Sequence, residues 1–338
     1  MEPFLVQNRE IHTTGSFGIS MFPRDGNNAM ELLRSADISM YKAKDLGKNN
    51  VQFFSRHMKH EMDNRVKMEQ CMSNGIRNSE FFLVYQPQYY LNSQELRGFE
   101  ALLRWNSPEF GILCPRDFIA LAEETQLILQ LGNWVLKTAC EKHKMLQDVY
   151  NLDTVISVNV SATQIKHAGF VENVQRALEA SRLEPDRLEI EITESVLIES
   201  FRETVTLLDK LKDIGARIAL DDFGTGYSSL SYLRRLPLDT LKIDKSFIDD
   251  LGLQHISQRM IGDIISIAHH MGLFVIAEGV EHDYQLKCLT SLDCDGVQGF
   301  LLSKPLSQED LEQMLRSSKK GTLNNGRLST MLRGNRPR

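Results

Sequence analysis

"RLEIEITE" (residues 187–194) is the stretch on which the fold turns. Side chains alternate across a strand, so Leu188, Ile190 and Ile192 share one face, and Glu189 and Glu191 share the other. The same alternation recurs elsewhere. In "VISVNV" (155–160), Ile156, Val158 and Val160 oppose Ser157 and Asn159. In "RIALD" (217–221), Ile218 and Leu220 oppose Arg217, Ala219 and Asp221. In "TLKID" (240–244), Leu241 and Ile243 oppose Lys242 and Asp244. In "GFEALLR" (98–104), Phe99, Ala101 and Leu103 oppose Glu100, Leu102 and Arg104. Strands with one branched apolar face and one polar face need a cover for the first and a use for the second.

The runs 81–89, 98–105, 155–162, 187–194, 217–222, 240–247, 273–281 and 296–303 make eight strands, and helical stretches separate most of them. The first two are joined by a short turn. This pattern predicts an α/β fold: a (β/α)8 TIM-type barrel with an irregular start, its first strand antiparallel. In a barrel the helices bury the outer, apolar face, so the polar face looks into the interior. Glu100, Asn159, Glu191, Asp221, Lys242, Glu278 and Gln298 come from seven different strands and should converge on one mouth. Asp222 lies at a strand end, where alternation lapses and it too can turn inward.

Around the barrel the chain is plainer. Residues 1–55 give a strand, a helix and a short strand, too little to bury a core alone. They read as a short α+β fragment, the end of a domain whose beginning is missing. Residues 56–80 read as a connecting helix and 81–318 as the barrel. Residues 319–338 carry six Lys and Arg with no acid and read as a disordered, solvated basic tail.

Composition excludes other classes. The 338 residues carry a net charge of −6, which argues against a general DNA or RNA binder. No window approaches 18 uninterrupted apolar residues, so no membrane segment is expected. The first residues lack the pattern of a signal peptide. Five scattered cysteines without a C-x-x-C pair fit a reduced, cytoplasmic protein.

Six carboxylates lie in or beside the mouth: Glu100, Glu191, Asp221, Asp222, Glu278 and Glu281. Only Lys242 and Arg104 oppose them. Such a cluster protonates, repels or binds cations. Carboxylates plus the Asn159 amide, with no Cys or His beside them, favour Mg²⁺ or Mn²⁺ over Zn²⁺. Two cations sharing a carboxylate suit phosphoester hydrolysis.

"FEALLRW", "SVNVSATQI", "LEIEITES", "LDDFGTGYSSLSYL", "LKIDKSF", "AEGVE" and "VQGFLLSKPL" together resemble, in order, the blocks of the EAL-domain family of cyclic di-GMP phosphodiesterases. The resemblance spans roughly residues 65–315. "TGSFGISMFP", "LLRSADISMYKAKDLGKNN" and "VQFF" resemble the end of a GGDEF (diguanylate cyclase) domain. The cyclase signature is absent from this chain, so no cyclase activity is expected, and the chain reads as a fragment of a longer protein or one whose start was lost.

The EAL resemblance implies hydrolysis of cyclic di-GMP to linear 5′-pGpG with two Mg²⁺ or Mn²⁺, lowering a bacterial second messenger. It implies metal ligands at Glu100, Asn159, Glu191, Asp221 and Asp222, Asp221 bridging, with Glu278 a further ligand or a base acting on the water. Glu100, Lys242 and Glu278 would be catalytic, Lys242 holding the water or neutralising developing charge. Arg104 would grip a substrate phosphate, and Gln86 and Gln298 would line the pocket. Glu194 would anchor the loop after Asp222, with Glu281 a supporting acid. A homodimer formed near residues 222–233 is a further implication. Two rival readings remain: a non-catalytic cyclic di-GMP receptor and another two-metal phosphohydrolase.

Weaker signals have plainer readings. "DFG" (222–224) lacks the other kinase motifs, and "GTGYSS" (224–229) is a poor dinucleotide fingerprint, better read as a mobile loop. His57, His60, His269 and His270 read as surface or core histidines, and Trp105 and Trp134 as packing residues.

Overall fold

The computed structural model describes residues 4–6, 9–194, 196, 201–224, 233–251 and 255–319. Most of the loop after Asp222 that the sequence predicts to be mobile (225–232) and nearly all of the basic tail lie outside the described residues.

The chain divides into two compact units, residues 1–74 and 75–338. In the first, β1 (Phe4–Val6) and β2 (Arg9–Ile11) pair antiparallel. Strands β3 (Phe17–Ile19) and β4 (Val51–Phe53) pair in parallel, connected through helix α1 (Ala29–Asp45). Asn28 caps α1 by accepting a hydrogen bond from the Glu31 backbone N–H, which satisfies one orphan donor of the first turn. The β1–β2 pair is not legible in the sequence. Helix α2 (Arg56–Arg77) follows β4.

The second unit is a closed barrel. Its strands are β5 (Phe81–Tyr90), β6 (Leu96–Ser107), β8 (Val155–Val160), β9 (Leu188–Thr193), β10 (Arg217–Phe223), β11 (Thr240–Ile243), β12 (Phe274–Ala277) and β13 (Gly296–Val297). The sheet runs β5-β13-β12-β11-β10-β9-β8-β6, and pairing of β5 with β6 closes it. β5 is antiparallel to both neighbours, while the other barrel contacts are parallel. All eight expected strands are present, with the irregular start where the short turn placed it. A further short strand, β7 (Gly111–Leu113), pairs with β6 outside the barrel.

The outward face is the core. Ile156, Val158, Leu188, Ile190, Ile192, Ile218, Leu220, Leu241 and Ile243 are all buried. Helix α3 (Pro115–Glu124) leads to the longest covering helix, α4 (Leu127–Tyr150), which contacts β8. It buries Ile128, Leu131, Val135, Leu136, Ala139 and Leu146, one stripe at helical spacing. Each buried Ile, Leu or Val of this stripe contributes roughly 1.5–3 kcal/mol by leaving water. Gly98 lets β6 close on β8, because a Cβ there would stand 2.2 Å from the Val155 carbonyl oxygen.

Among the described residues, no helix is long and apolar enough to cross a membrane.

Candidate active site

Strand register carries the inward face around the barrel. Glu100 pairs with Ser157, Ser157 with Glu189, and Asn159 with Glu191. Glu191 pairs with Ala219, Ala219 with Thr240, Lys242 with Ile276, and Ile276 with Gly296. Every partner but Ile276 belongs to the polar or small set, so one parity holds from strand to strand. Glu278 and Gln298 follow the ends of β12 and β13, held by backbone bonds from Glu278 N–H to the Ile243 carbonyl and from Gln298 N–H to the Ala277 carbonyl.

These residues meet at Lys242. Its ammonium is fully buried, 2.6 Å from Glu278 Oε1, 2.8 Å from Glu191 Oε2, 3.4 Å from Asp221 Oδ1 and 3.6 Å from Glu100 Oε2. Asn159 Nδ2 donates to Glu100 Oε1 at 2.6 Å, and Gln298 Nε2 donates to Glu100 Oε2 at 2.6 Å and Gln86 Oε1 at 3.1 Å. One cation faces four carboxylates. Burial pushes the Glu191 and Asp221 carboxyls up, and the neighbouring acids add to it. Burial and Asp221 push Glu278 up to about 8. Burial would lower the Lys242 ammonium, but Asp221, Glu100, Glu191 and Glu278 hold it well above its ordinary value.

Asp222 sits in a local break of the strand. Register shifts between Leu220 and Phe223, and Asp222 has φ 55°, a left-handed conformation that aspartate tolerates better than most residues. Burial, Asp221 and Asp244 raise its carboxyl. Gly224 follows with φ 98°, and a Cβ there would fall 2.5 Å from the Phe247 ring. The lapse of alternation expected at this strand end is therefore a bulge.

The donor set suits a hard divalent cation. It is all oxygen apart from Lys242, it carries excess negative charge, and Glu191 Oε1 is buried without a hydrogen-bond partner. Among the described residues no three acidic, His or Cys side chains already stand in a ligating group, as Lys242 stands between them.

A cavity of about 200 Å³ opens beside this cluster, lined by Gln86, Glu100, Glu278, Glu281, Gln298 and Phe300 among others. Glu281 pairs with Lys245 on its wall. A larger cavity of about 540 Å³ lies between Ile165–Glu172 and Glu203–Lys210, and no mouth carboxylate lines it. Volume alone does not make it the site.

Two sequence-derived candidates are not joined to the cluster. Arg104 donates to the Leu103 carbonyl at 2.7 Å. Glu194 is buried, and neither carboxylate oxygen has a hydrogen-bond partner. Trp105 donates to Glu80 and stacks on Phe81, a packing role.

Sequence reasoning missed the layer below. Arg97 bonds Glu189 through both terminal nitrogens, at 3.1 and 2.6 Å, and also donates to Gln88 and Thr240. Glu189 was legible on the inward face. Arg97 was not, because strict alternation sends it outward. The register shift at Gln88/Tyr89 leaves Arg97 without a partner on β5 and turns it in.

Comparison with known proteins agrees with this geometry. The EAL domain family model matches residues 69–305, and that for "Diguanylate cyclase, GGDEF domain" matches residues 1–50. A Pseudomonas aeruginosa protein named "Bifunctional diguanylate cyclase/cyclic di-GMP phosphodiesterase MucR" is 38% identical over 310 residues, 92% of this chain and 45% of that protein. "Cyclic di-GMP phosphodiesterase NbdA", also from Pseudomonas aeruginosa, is 40% identical over 94% of this chain and 40% of its own length. The chain thus spans less than half the length of these relatives. A solved structure described as "PaMucR Phosphodiesterase, c-di-GMP complex" superposes with a TM-score of 0.68 at 40% identity, covering 71% of this chain and 99% of that one. The family match runs from before β5 to beyond β13 and includes every carboxylate around Lys242, and the chain belongs to the EAL domain family.

Proposed function

We propose that this chain is a phosphodiesterase that opens cyclic di-GMP to linear 5′-pGpG with two bound Mg²⁺ or Mn²⁺ ions. The observation that carries the reading is the buried mouth in which Glu100, Glu191, Asp221 and Glu278 surround the single ammonium of Lys242. The names of the relatives supply the substrate.

Glu100, Asn159, Glu191, Asp221, Asp222 and Glu278 would hold the cations, which would supply an activated water and offset charge on the phosphate. Lys242 positions that water and stabilises negative charge developing on the phosphoryl oxygens. Glu278, 2.6 Å from Lys242 at the same mouth, is a further ligand or the base that takes the proton the water gives up. The water oxygen forms the new bond to phosphorus, the bond to the 3′ oxygen breaks, and the 3′ oxygen leaves and takes up a proton from solvent. Arg104 grips a phosphate, and Gln86 and Gln298 line the pocket. Glu194 anchors the loop after Asp222, and Glu281 supports the wall through Lys245. The working form is a cytoplasmic homodimer.

Purified protein with Mg²⁺ should convert cyclic di-GMP to pGpG, followed by chromatography, and Glu100→Ala should abolish turnover. Binding without turnover in Mg²⁺ would favour a receptor and overturn the proposal.

A further inference from the structure

Beneath the mouth lies a second polar layer with a fixed sense of donors and acceptors. Gln88, Ser157 and Glu189 are fully buried, and Thr240, Arg97 and Gln298 are 1%, 3% and 4% exposed. Groups this dry must satisfy one another. Glu189 accepts from Arg97, from Ser157 Oγ at 2.8 Å and from Thr240 Oγ1 at 2.7 Å. Burial alone would raise its carboxyl, but the Arg97 charge and these hydrogen bonds bring it down to about 2. Arg97 also lies over the Phe274 ring, 5.0 Å from its centroid.

The sense of every bond upward follows from Arg97. A guanidinium has donors and no acceptor. Gln88 therefore turns its amide oxygen to Arg97, at 2.6 Å from Nη1. Its NH₂ is left to face Gln298, and donates to Oε1 at 3.0 Å. Gln298 then has its own NH₂ directed at Glu100 Oε2, at 2.6 Å. With Asn159 donating to Oε1, both Glu100 oxygens are pinned by amide donors. A carboxylate has lone pairs to spare for a cation after two such bonds.

We infer that Gln88, Arg97 and Glu189 are positioning residues, a relay in which the buried ion pair fixes the orientation of two amides and so holds Glu100 as a preorganised metal ligand. The inference rests on the reading of Glu100 as a ligand. Without the relay only Gln86 Oε1, 3.1 Å from Gln298 Nε2, still orients that amide, and Gln298 more readily turns its oxygen to Glu100, which repels the carboxylate. Outer partners of this kind tune metal sites as strongly as some ligands do.

The test uses the full chain with Mn²⁺ alone as the probe, read by electron paramagnetic resonance, beside thermal melts. Gln88→Met keeps the volume and leaves Arg97 paired with Glu189. It should weaken Mn²⁺ binding about tenfold or more while the protein stays folded. In a Gln298→Leu background the same change should weaken binding no further, since both act on one chain of bonds. If Gln88→Met does not fold, the double variant Arg97→Met/Glu189→Leu, which leaves no lone buried charge, carries the same expectation. Mn²⁺ affinity within twofold of wild type in a folded variant, or losses that multiply, would overturn the relay and leave this layer a structural plug. Failure of the wild type itself to bind Mn²⁺ would overturn the metal reading, and the relay with it.

Discussion

Burying an ammonium costs several kcal/mol, yet Lys242 is fully buried with four carboxylates within ion-pair distance. The acids that make Lys242 tolerable are too many for it alone, and burial first, then their mutual repulsion, raises the Glu191, Asp221 and Glu278 carboxyls. Lys242→Met removes the only cation touching the group among the described residues. Urea unfolding in EDTA should show a loss of about 3–5 kcal/mol, the usual cost of breaking a buried pair from one side. Turnover should fall at least about a hundredfold with Mg²⁺ present. Retention of more than a tenth of the activity would remove Lys242 from the chemistry. Asp222 tests the ligand set from the other side. Burial, Asp221 and Asp244 raise its carboxyl, and asparagine tolerates its left-handed backbone equally well. Asp222→Asn should therefore fold and lower turnover in Mg²⁺, followed by the same chromatography. Turnover equal to wild type would remove Asp222 from the ligands.

At the scale of elements, a buried histidine of α4 reaches the entry to β8, beside Gln147, which donates to the same carbonyl. His143 Nε2 bonds the Thr154 carbonyl at 2.8 Å, just before β8, while Nδ1 is buried without a partner. Burial, with Arg187 nearby, lowers the imidazole from 6.5 to about 4. The folded state therefore holds His143 neutral. Between about pH 4 and 6.5 the unfolded chain binds the extra proton, so this group's contribution is complete above 6.5 and is lost as pH falls toward 4. Between pH 6.5 and 5 wild type should lose about 2 kcal/mol more than His143→Gln, at one pKa unit per 1.36 kcal/mol, in paired urea titrations. Equal slopes would mean that the imidazole reaches solvent. The same elements show what a sequence can reveal. Alternation marked β8, β9 and β10 because each buries one face completely, and period two then assigns every side chain. It placed Glu189 and Glu191 correctly for the same reason. It failed at Arg97 and stayed silent at Gln88, because a bulge shifts the parity by one residue and depends on the partner strand. It overran β12 and β13, whose pairing stops at Ala277 and Val297, short of the expected ends at 281 and 303. β1 and β2 are three residues each, too short for any period to register.

Taken whole, the barrel carries two polar layers of different charge balance. In the lower one Arg97 and Glu189 cancel, and Gln88 carries its hydrogen bonding up to Gln298. In the upper one negative charge exceeds positive, and a buried oxygen of Glu191 has no partner. Folding the barrel therefore stores repulsion at one end, which a cation relieves only in the folded state. A ligand that binds the native form alone stabilises it by RT ln(1 + [L]/Kd), about 2.7 kcal/mol at a hundred times Kd. At about 2–4 °C per kcal/mol for a domain near this size, saturating Mg²⁺ or Mn²⁺ should raise the melting temperature of the barrel transition by about 5–10 °C over EDTA. The rise should be specific to the mouth. Glu191→Gln and Asp221→Asn, each of which lowers the stored charge by one and removes a ligand, should start from an equal or higher melting temperature in EDTA and gain at most a third of the wild-type increment. An increment of the same size in both variants would place the cations elsewhere on a chain whose net charge is −6. No increment in wild type would mean that Lys242 and partial protonation already settle the cluster, and that the barrel needs no metal to hold its four carboxylates together.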